Sequence, residues 1–179
     1  KMDNQVHFKL SDYRDVKEKF ERIVSVGAFE HFGKKFYKTF FKKINNIMTD
    51  DGICLLHTIG SVDAPSPVQP FIQKRIFPGG IVPCLSELTK PIEQTGLVLS
   101  DCETLIHHYD KTLKAWLGRF MENKETAKYM HNKEFVRMWE FYLASCSAAF
   151  KFKDLVVYQL QLVKTFTAPQ SNRRNYIYQ

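Results

Sequence analysis

Apolar and polar positions along the chain switch repeatedly between a period of two and a period near 3.6. "QVHFKL" reads as a short strand, with "SDYRD" as the loop leaving it. "RIVSVGAF" is a near-continuous apolar run of the kind buried on both faces of a parallel sheet. In "KKFYKTFFKKINNIM" the period changes: Tyr37, Phe40, Phe41, Ile44, Ile47 and Met48 fall at helical spacing, with Lys34, Lys35, Lys38 and Lys42 between them. "TDDG" ends that helix in a turn, and "ICLLHTIG" is the next buried strand. "SVDAPSPVQP" holds three prolines and reads as a loop. "LSELTKPIEQTG" predicts a helix interrupted or kinked at Pro91 and closed by Gly96. "LVLSDCETLIHHY" is a strand leading into polar residues, and "DKTLKAWLGRFM" and "NKEFVRMWEFYLASCSAAF" are helices. In the second of these helices Phe135, Trp139, Tyr142, Cys146 and Ala149 share one face. "LVVYQLQLVKTF" is a last strand of near-strict alternation, and "APQSNRRNYIYQ" has no pattern. Strand-helix-strand alternation without internal repeats predicts an α/β fold with a largely parallel sheet, over residues 1–167, followed by a basic tail, 168–179.

Composition narrows the partners more than the fold. A chain of 179 residues, 44% apolar and with fifteen Phe, suffices for one domain with a substantial core. The net charge of +7 suits an anionic partner, whether a lipid headgroup, a nucleic acid or an acidic substrate, and equally suits a merely soluble basic protein. Cys54, Cys84, Cys102 and Cys146 form no C-x-x-C pair and no zinc-type cluster, which points to free thiols in a reducing compartment and to no metal. No apolar run reaches the roughly 18 residues that span a bilayer. The start, "KMDNQVHF", has no apolar core of a signal peptide and does not open on Met, as a fragment would not.

Candidate chemistry gathers where strands end. "RIVSVGAFEHFG" runs a core strand straight into Glu30 and His31 between two phenylalanines. In open α/β sheets ligands bind beyond the carboxyl ends of the strands. His57 and Thr58 close a second strand there, and Tyr109 follows a third. A carboxylate, an imidazole and a phenol at three strand ends can converge as a proton-handling site; each residue alone is also compatible with an ordinary loop or strand end.

Five segments in order, "RIVSVGAFEHFG", "LLHTIGS", "IFPGG" followed by a proline, "HHYDKTL" and "YLASCSAAF", resemble the cyclopropane fatty acid synthases, including the mycolic acid cyclopropane synthases. The resemblance runs from Phe8 to about Lys164. It implies a class I S-adenosylmethionine-dependent methyltransferase fold, a Rossmann-like α/β sheet of order 3-2-1-4-5-7-6 with flanking helices. It also implies transfer of the cofactor's methyl carbon to a cis double bond of an unsaturated phospholipid acyl chain, at the inner, cytoplasmic face of a membrane and with no nucleic acid involved. Proton loss then closes a cyclopropane ring, with a bound bicarbonate ion as the base. The residues matching the family's bicarbonate ligands are Glu30, His57, Ile59 and Tyr109, and Cys146 matches a cysteine assigned an active-site role. Asp12, Tyr13 and Arg14 match the loop that contacts adenosine. Chemistry supports the types: imidazole N–H, phenol O–H and a backbone N–H are donors to a small anion, while Glu30 accepts its hydrogen.

Other readings of these residues stay open. Tyr109 can cap the helix after it, His57 can be a strand-end histidine, and Cys146, on an apolar helix face with no adjacent base, can be a small core residue. The lysines at 34, 35, 38, 42 and 43 can form a solvated helix face or a membrane contact. One departure is larger. The eight glycines, at 27, 33, 52, 60, 79, 80, 96 and 118, make no G-x-G, and the family's glycine-rich cofactor loop and first two strands have no counterpart. The expectation is a C-terminal portion of the catalytic domain that is inactive alone. "RIVSVGAF" then has one edge without a partner, to be rebuilt by "VHFKL" or by a second copy as a homodimer, or else aggregating. A non-catalytic fragment or lipid-surface module, and a methyltransferase with another acceptor, are the competing functions.

Overall fold

A computed structural model describes residues 5–166 and 168. Four strands, β1 (Phe20–Val26), β2 (Met48–Ser61), β3 (Val98–Leu105) and β4 (Leu155–Val163), form one sheet in the order β1-β2-β4-β3. The helices are α1 (Tyr37–Ile47), α2 (Pro70–Arg75), α3 (Leu85–Glu93), α4 (His108–Glu122), α5 (Lys124–Met130) and α6 (Lys133–Phe152). This is the 4-5-7-6 half of the expected strand order, and the α/β class holds.

The sheet is mixed rather than largely parallel. β1 pairs with β2 in parallel, but β4 runs antiparallel to both β2 and β3. The last strand inserts between two that already point the same way, so β1, β2 and β3 share one carboxyl end. "QVHFKL" forms no strand: Phe8 and Leu10 are fully exposed, and alternation without a partner strand earns no hydrogen bonds. "TDDG" is not a helix-ending turn either. β2 already starts at Met48, and the pairing jumps from Phe20↔Met48 to Arg22↔Ile53, so these residues bulge out within the ladder. α3 continues through Pro91, because the helix ends at Glu93 and the proline costs only one hydrogen bond. Of the expected tail only Ala168 is described; residues 169–179 lie outside the described residues.

One sheet face carries the main core. Cys54 and Leu56 of β2 and Val156, Tyr158, Leu160 and Leu162 of β4 pack under α1 and α3. α1 contributes Tyr37, Phe40, Phe41 and Ile44, an i, i+3, i+4, i+7 stripe, and leaves Lys38 and Lys42 in solvent. On the other face α4 and α6 cover only the carboxyl end, around Ile59, Leu105 and Val157. On the main-core face Gly60 leaves room for Tyr158: a Cβ there would lie 2.3 Å from the Tyr158 ring, whose hydroxyl donates to the Ser61 carbonyl at 2.9 Å.

α4 is fastened to α6 by a buried pair. Asp110 accepts from Ser147 Oγ at 2.5 Å and from Lys114 Nζ at 2.8 Å. These bonds, from Lys114 first and then Ser147, hold its carboxyl below the usual range. A depressed folded pKa adds stability that is complete above the unfolded value, about 3.9, and fades as pH falls through the folded one. Asp110→Asn is therefore expected to lower Tm most near pH 7, with the gap from wild type closing towards pH 3. A gap of constant size across thermal melts from pH 3 to 7 would contradict this.

Candidate active site

Gly27, at φ 65, turns the chain out of β1 in a conformation few side chains adopt. Phe29 then drops into the core with no exposure, stacked on Tyr37 at 4.4 Å and edge-on to Phe40 at 5.1 Å. With Phe29 anchored, the 3-10 turn Phe29–His31 must aim its next side chain across the end of β2. Glu30 does so: Oε1 accepts the Ile59 backbone N–H at 2.7 Å. The Glu30 carbonyl accepts from the Ile81 N–H at 2.8 Å, which ties the loop after α2 to the same turn. Oε2 is buried and has no hydrogen-bond partner among the described residues. A buried carboxylate oxygen without a donor is costly, and such an atom in a native site calls for an unplaced proton, water or ligand.

Tyr109 enters from the first turn of α4, its ring against Phe150 at 4.9 Å and Trp116 at 6.0 Å. Burial raises its pKa, and the nearby Glu30 carboxylate raises it further, so the phenol stays an O–H donor at neutral pH. Cys146 lies across from it on α6, its thiol pushed up to about 11 by burial. Such a cysteine is a neutral thiol in the wall, not a thiolate nucleophile. Tyr142, one turn before it, is raised to about 12, again mainly by burial. His57 lies two residues before Ile59 on the same face of β2, and its Nδ1 is 3.2 Å from Gln159 Nε2 on β4. A side-chain N–H donor at that distance makes Nδ1 the acceptor and leaves the ring proton on Nε2.

The structure thus gathers Glu30, Ile59, Tyr109 and Cys146, with His57 on the adjoining sheet face. It does not add the Asp12–Arg14 segment to them. Arg14 makes a bidentate pair with Asp12, closest at 2.6 Å, which draws that carboxyl down to about 2. Tyr13 stacks on Phe32 at 5.1 Å and so reaches the Glu30 turn only through aromatic rings. Gln159, Ile81 and the Asp110–Ser147 pair escaped the sequence reading. Gln159 is one of the polar positions of the alternation in β4, on the face opposite Tyr158, Leu160 and Leu162, which by itself marks only the face away from the main core.

An anion with an O–H group fits the Glu30 region, since orphaned Oε2 needs a donor and the Tyr109 hydroxyl offers one in return. The Ile59 N–H, by contrast, is already engaged by Glu30. The cofactor side fits less: the Asp12 carboxylate and Arg14 guanidinium satisfy each other, and no glycine-rich turn adjoins them. Among the described residues no three His, Cys, Asp or Glu side chains gather as metal ligands.

Residues 1–160 match the family model of mycolic acid cyclopropane synthetase. The chain is 39% identical over 151 residues to the cyclopropane-fatty-acyl-phospholipid synthase of Escherichia coli (strain K12), an alignment covering 84% of this chain and 39% of that enzyme. It is 34% identical to the tuberculostearic acid methyltransferase UfaA1 of Mycobacterium tuberculosis, covering 90% of this chain and 39% of that one. The crystal structure of mycolic acid cyclopropane synthase CmaA1, complexed with SAH and CTAB, superposes with a TM-score of 0.78 at 30% identity over 86% of this chain and 59% of its own. The chain spans about two fifths of the length of these two curated relatives.

Proposed function

This chain belongs to the mycolic acid cyclopropane synthetase family, and from that premise we propose that it forms the acceptor side of the active site of an S-adenosylmethionine-dependent methyltransferase acting on a cis double bond of a phospholipid acyl chain. When bound, S-adenosylmethionine would supply an electrophilic methyl group and bicarbonate a base. The observation that carries the reading is the Glu30 carboxylate, buried at a strand end with one oxygen fixed by the Ile59 N–H and the other unpartnered.

The residues divide the work. Oε2 of Glu30, buried and without a partner among the described residues, would accept a hydrogen from such an anion and so orient it as a base. The Tyr109 hydroxyl and the His57 Nε2–H would be its donors. Ile59 acts one step back: its N–H aims the carboxylate rather than touching the anion. Cys146, Tyr142 and Leu113 line the apolar wall, which keeps water from a cationic acyl chain. Asp12, Tyr13 and Arg14 would line the adenosine side only with the Asp12–Arg14 pair opened, and Tyr13 is the one with a ring to offer. The protein works at the inner face of the cytoplasmic membrane; among the described residues no helix is long and apolar enough to cross it. The similarity to a tuberculostearic acid methyltransferase supports a second reading, in which the same site methylates an acyl chain without closing a ring.

A chimera tests both. In it this chain replaces the matching segment of the E. coli relative. Lipids from cells expressing the chimera are expected to gain one CH2 per converted double bond, with proton NMR showing a cyclopropane; a methyl branch instead favours the second reading, and unchanged lipids overturn the proposal. The 179-residue chain alone is expected to convert no lipid and to bind S-adenosylmethionine weakly in calorimetry, because close backbone approach to the cofactor needs the missing glycines.

A further inference from the structure

Beside the Glu30 site lies a cleft of about 280 Å³, bounded by Lys34, Pro65, Pro67, Val68, Gly80 and Ile81. Ile81 is also the residue whose N–H holds the Glu30 carbonyl, so the cleft and the candidate site share a wall. Two segments meet at this rim, residues 31–43 and 64–82. Together they hold Lys34, Lys35, Lys38, Lys42, Lys43, Lys74 and Arg75 and not one Asp or Glu. Two of these cations are engaged: Lys34 pairs with Glu87 at 2.5 Å, and Lys43 donates to the Arg14 carbonyl at 2.7 Å. Lys35, Lys74 and Arg75 are exposed, and no carboxylate pairs with them among the described residues. Aromatic rings stand among them. Phe36 is 39% and Phe77 42% exposed, and the Lys35 ammonium sits 5.0 Å from the centre of the Phe36 ring. The inner side of Phe77 touches His31 and Tyr142, which joins the rim to the wall of the site.

We propose that Lys35, Phe36, Lys74, Arg75 and Phe77 form a docking face for an anionic phospholipid bilayer, which seats the mouth of the Glu30 site on the lipid that carries the acyl chain. The inference rests on the acyl-lipid reading above and deepens it. A purely electrostatic contact with an acidic protein would need the cations but not half-exposed phenylalanines beside them. Cations at phosphate level with rings one layer deeper are the arrangement a membrane interface rewards. The electrostatic part falls off within a Debye length, so it acts only when the face is close to the surface.

The test is sedimentation of the full chain with large vesicles of phosphatidylcholine alone or mixed equally with phosphatidylglycerol. Binding is expected to be at least about tenfold stronger to the anionic vesicles and to weaken as salt rises. The triple variant Lys35→Glu/Lys74→Glu/Arg75→Glu is expected to lose that preference. A triple of equal charge change at the far ends of α4 and α6, Arg119→Glu/Lys133→Glu/Arg137→Glu, is expected to keep it. Phe77→Trp is expected to shift its added emission to the blue on the anionic vesicles, a reading that survives if the charge variants fold poorly. Equal losses in both triples, equal binding to the two vesicles, no blue shift, or capture by immobilised polyglutamate as strong as by vesicles would each overturn the proposal. Because vesicle binding is read without turnover, its failure is distinct from failure of the methyl-transfer reading, which the chimera's lipids report.

Discussion

Glu30→Gln, introduced into the chimera with the E. coli relative, is expected to lower turnover about 10²- to 10⁴-fold, the range that a positioned acid or base contributes. The amide can keep the Ile59 bond by placing its oxygen where Oε1 now accepts at 2.7 Å. Its NH2 then occupies the place of Oε2, the oxygen with no partner. A donor at that point meets the anion's own O–H with another hydrogen and turns the anion the wrong way. Affinity for S-adenosylmethionine is expected to change little, since Glu30 touches nothing in the Asp12–Arg14 segment. The fold should not suffer either, because the substitution removes a buried carboxylate that is only half satisfied. Tm should stay level or rise. Full turnover in the variant, or a fall in turnover matched by a fall in Tm, would show that Glu30 is not the group that orients the base. Tyr109→Phe in the same chimera serves as the companion reading: it deletes a donor without reversing one, and a smaller loss is expected.

The sequence and the structure part company in ways with physical causes. Apolar runs located β1, β2 and β3, and alternation located β4, but β1 is not covered on both faces as its run suggests: among the described residues no helix packs over its outer side, and Val24 and Val26 stay largely exposed. Period and hydrophobicity say nothing of direction, so the antiparallel course of β4 between β2 and β3 was illegible. "QVHFKL" has the right alternation yet stays unpaired, which shows that a strand is made by its neighbour more than by its own pattern. The site divides in the same way. An acid placed directly after a core strand was conspicuous, and Glu30 does sit at the sheet's carboxyl end. Its main partner is a backbone N–H, and backbone groups leave no mark in a sequence. Cys146 shows the converse: burial raises its thiol to about 11, so whatever part a matched cysteine plays in the active site it plays as a neutral thiol. At Asp12 and Arg14 a two-residue spacing hid a bidentate ion pair that leaves neither side chain free.

The chain in dilute solution is expected to self-associate through β1, and Val24→Lys is expected to return it to a monomer. Among the described residues β1 pairs only with β2, so one row of its N–H and C=O groups faces outward. "VHFKL" does not rebuild that edge, since residues 6–10 form no strand. The exposed sheet face beside the edge is apolar as well: Val24 and Val26 are 65% and 63% exposed. An open edge with apolar side chains is a template for a second strand, and an edge-to-edge contact between two copies would be two-fold symmetric, β1 against β1. Lys19, Glu21 and Arg22 blunt only the start of the strand, and Gly27 ends it without a charge. A lysine at 24 places a charge in the middle, the device natural edges use against pairing. It removes little from the fold, because Val24 packs largely against solvent. Light scattering on the wild-type chain should give a dimer or larger species at micromolar concentration, where exposed edges associate, and a monomer for Val24→Lys with the same circular dichroism. If both are monomers over the same concentration range, the bare β1 edge is not sticky enough to matter; if both associate alike, the contact lies elsewhere on the molecule.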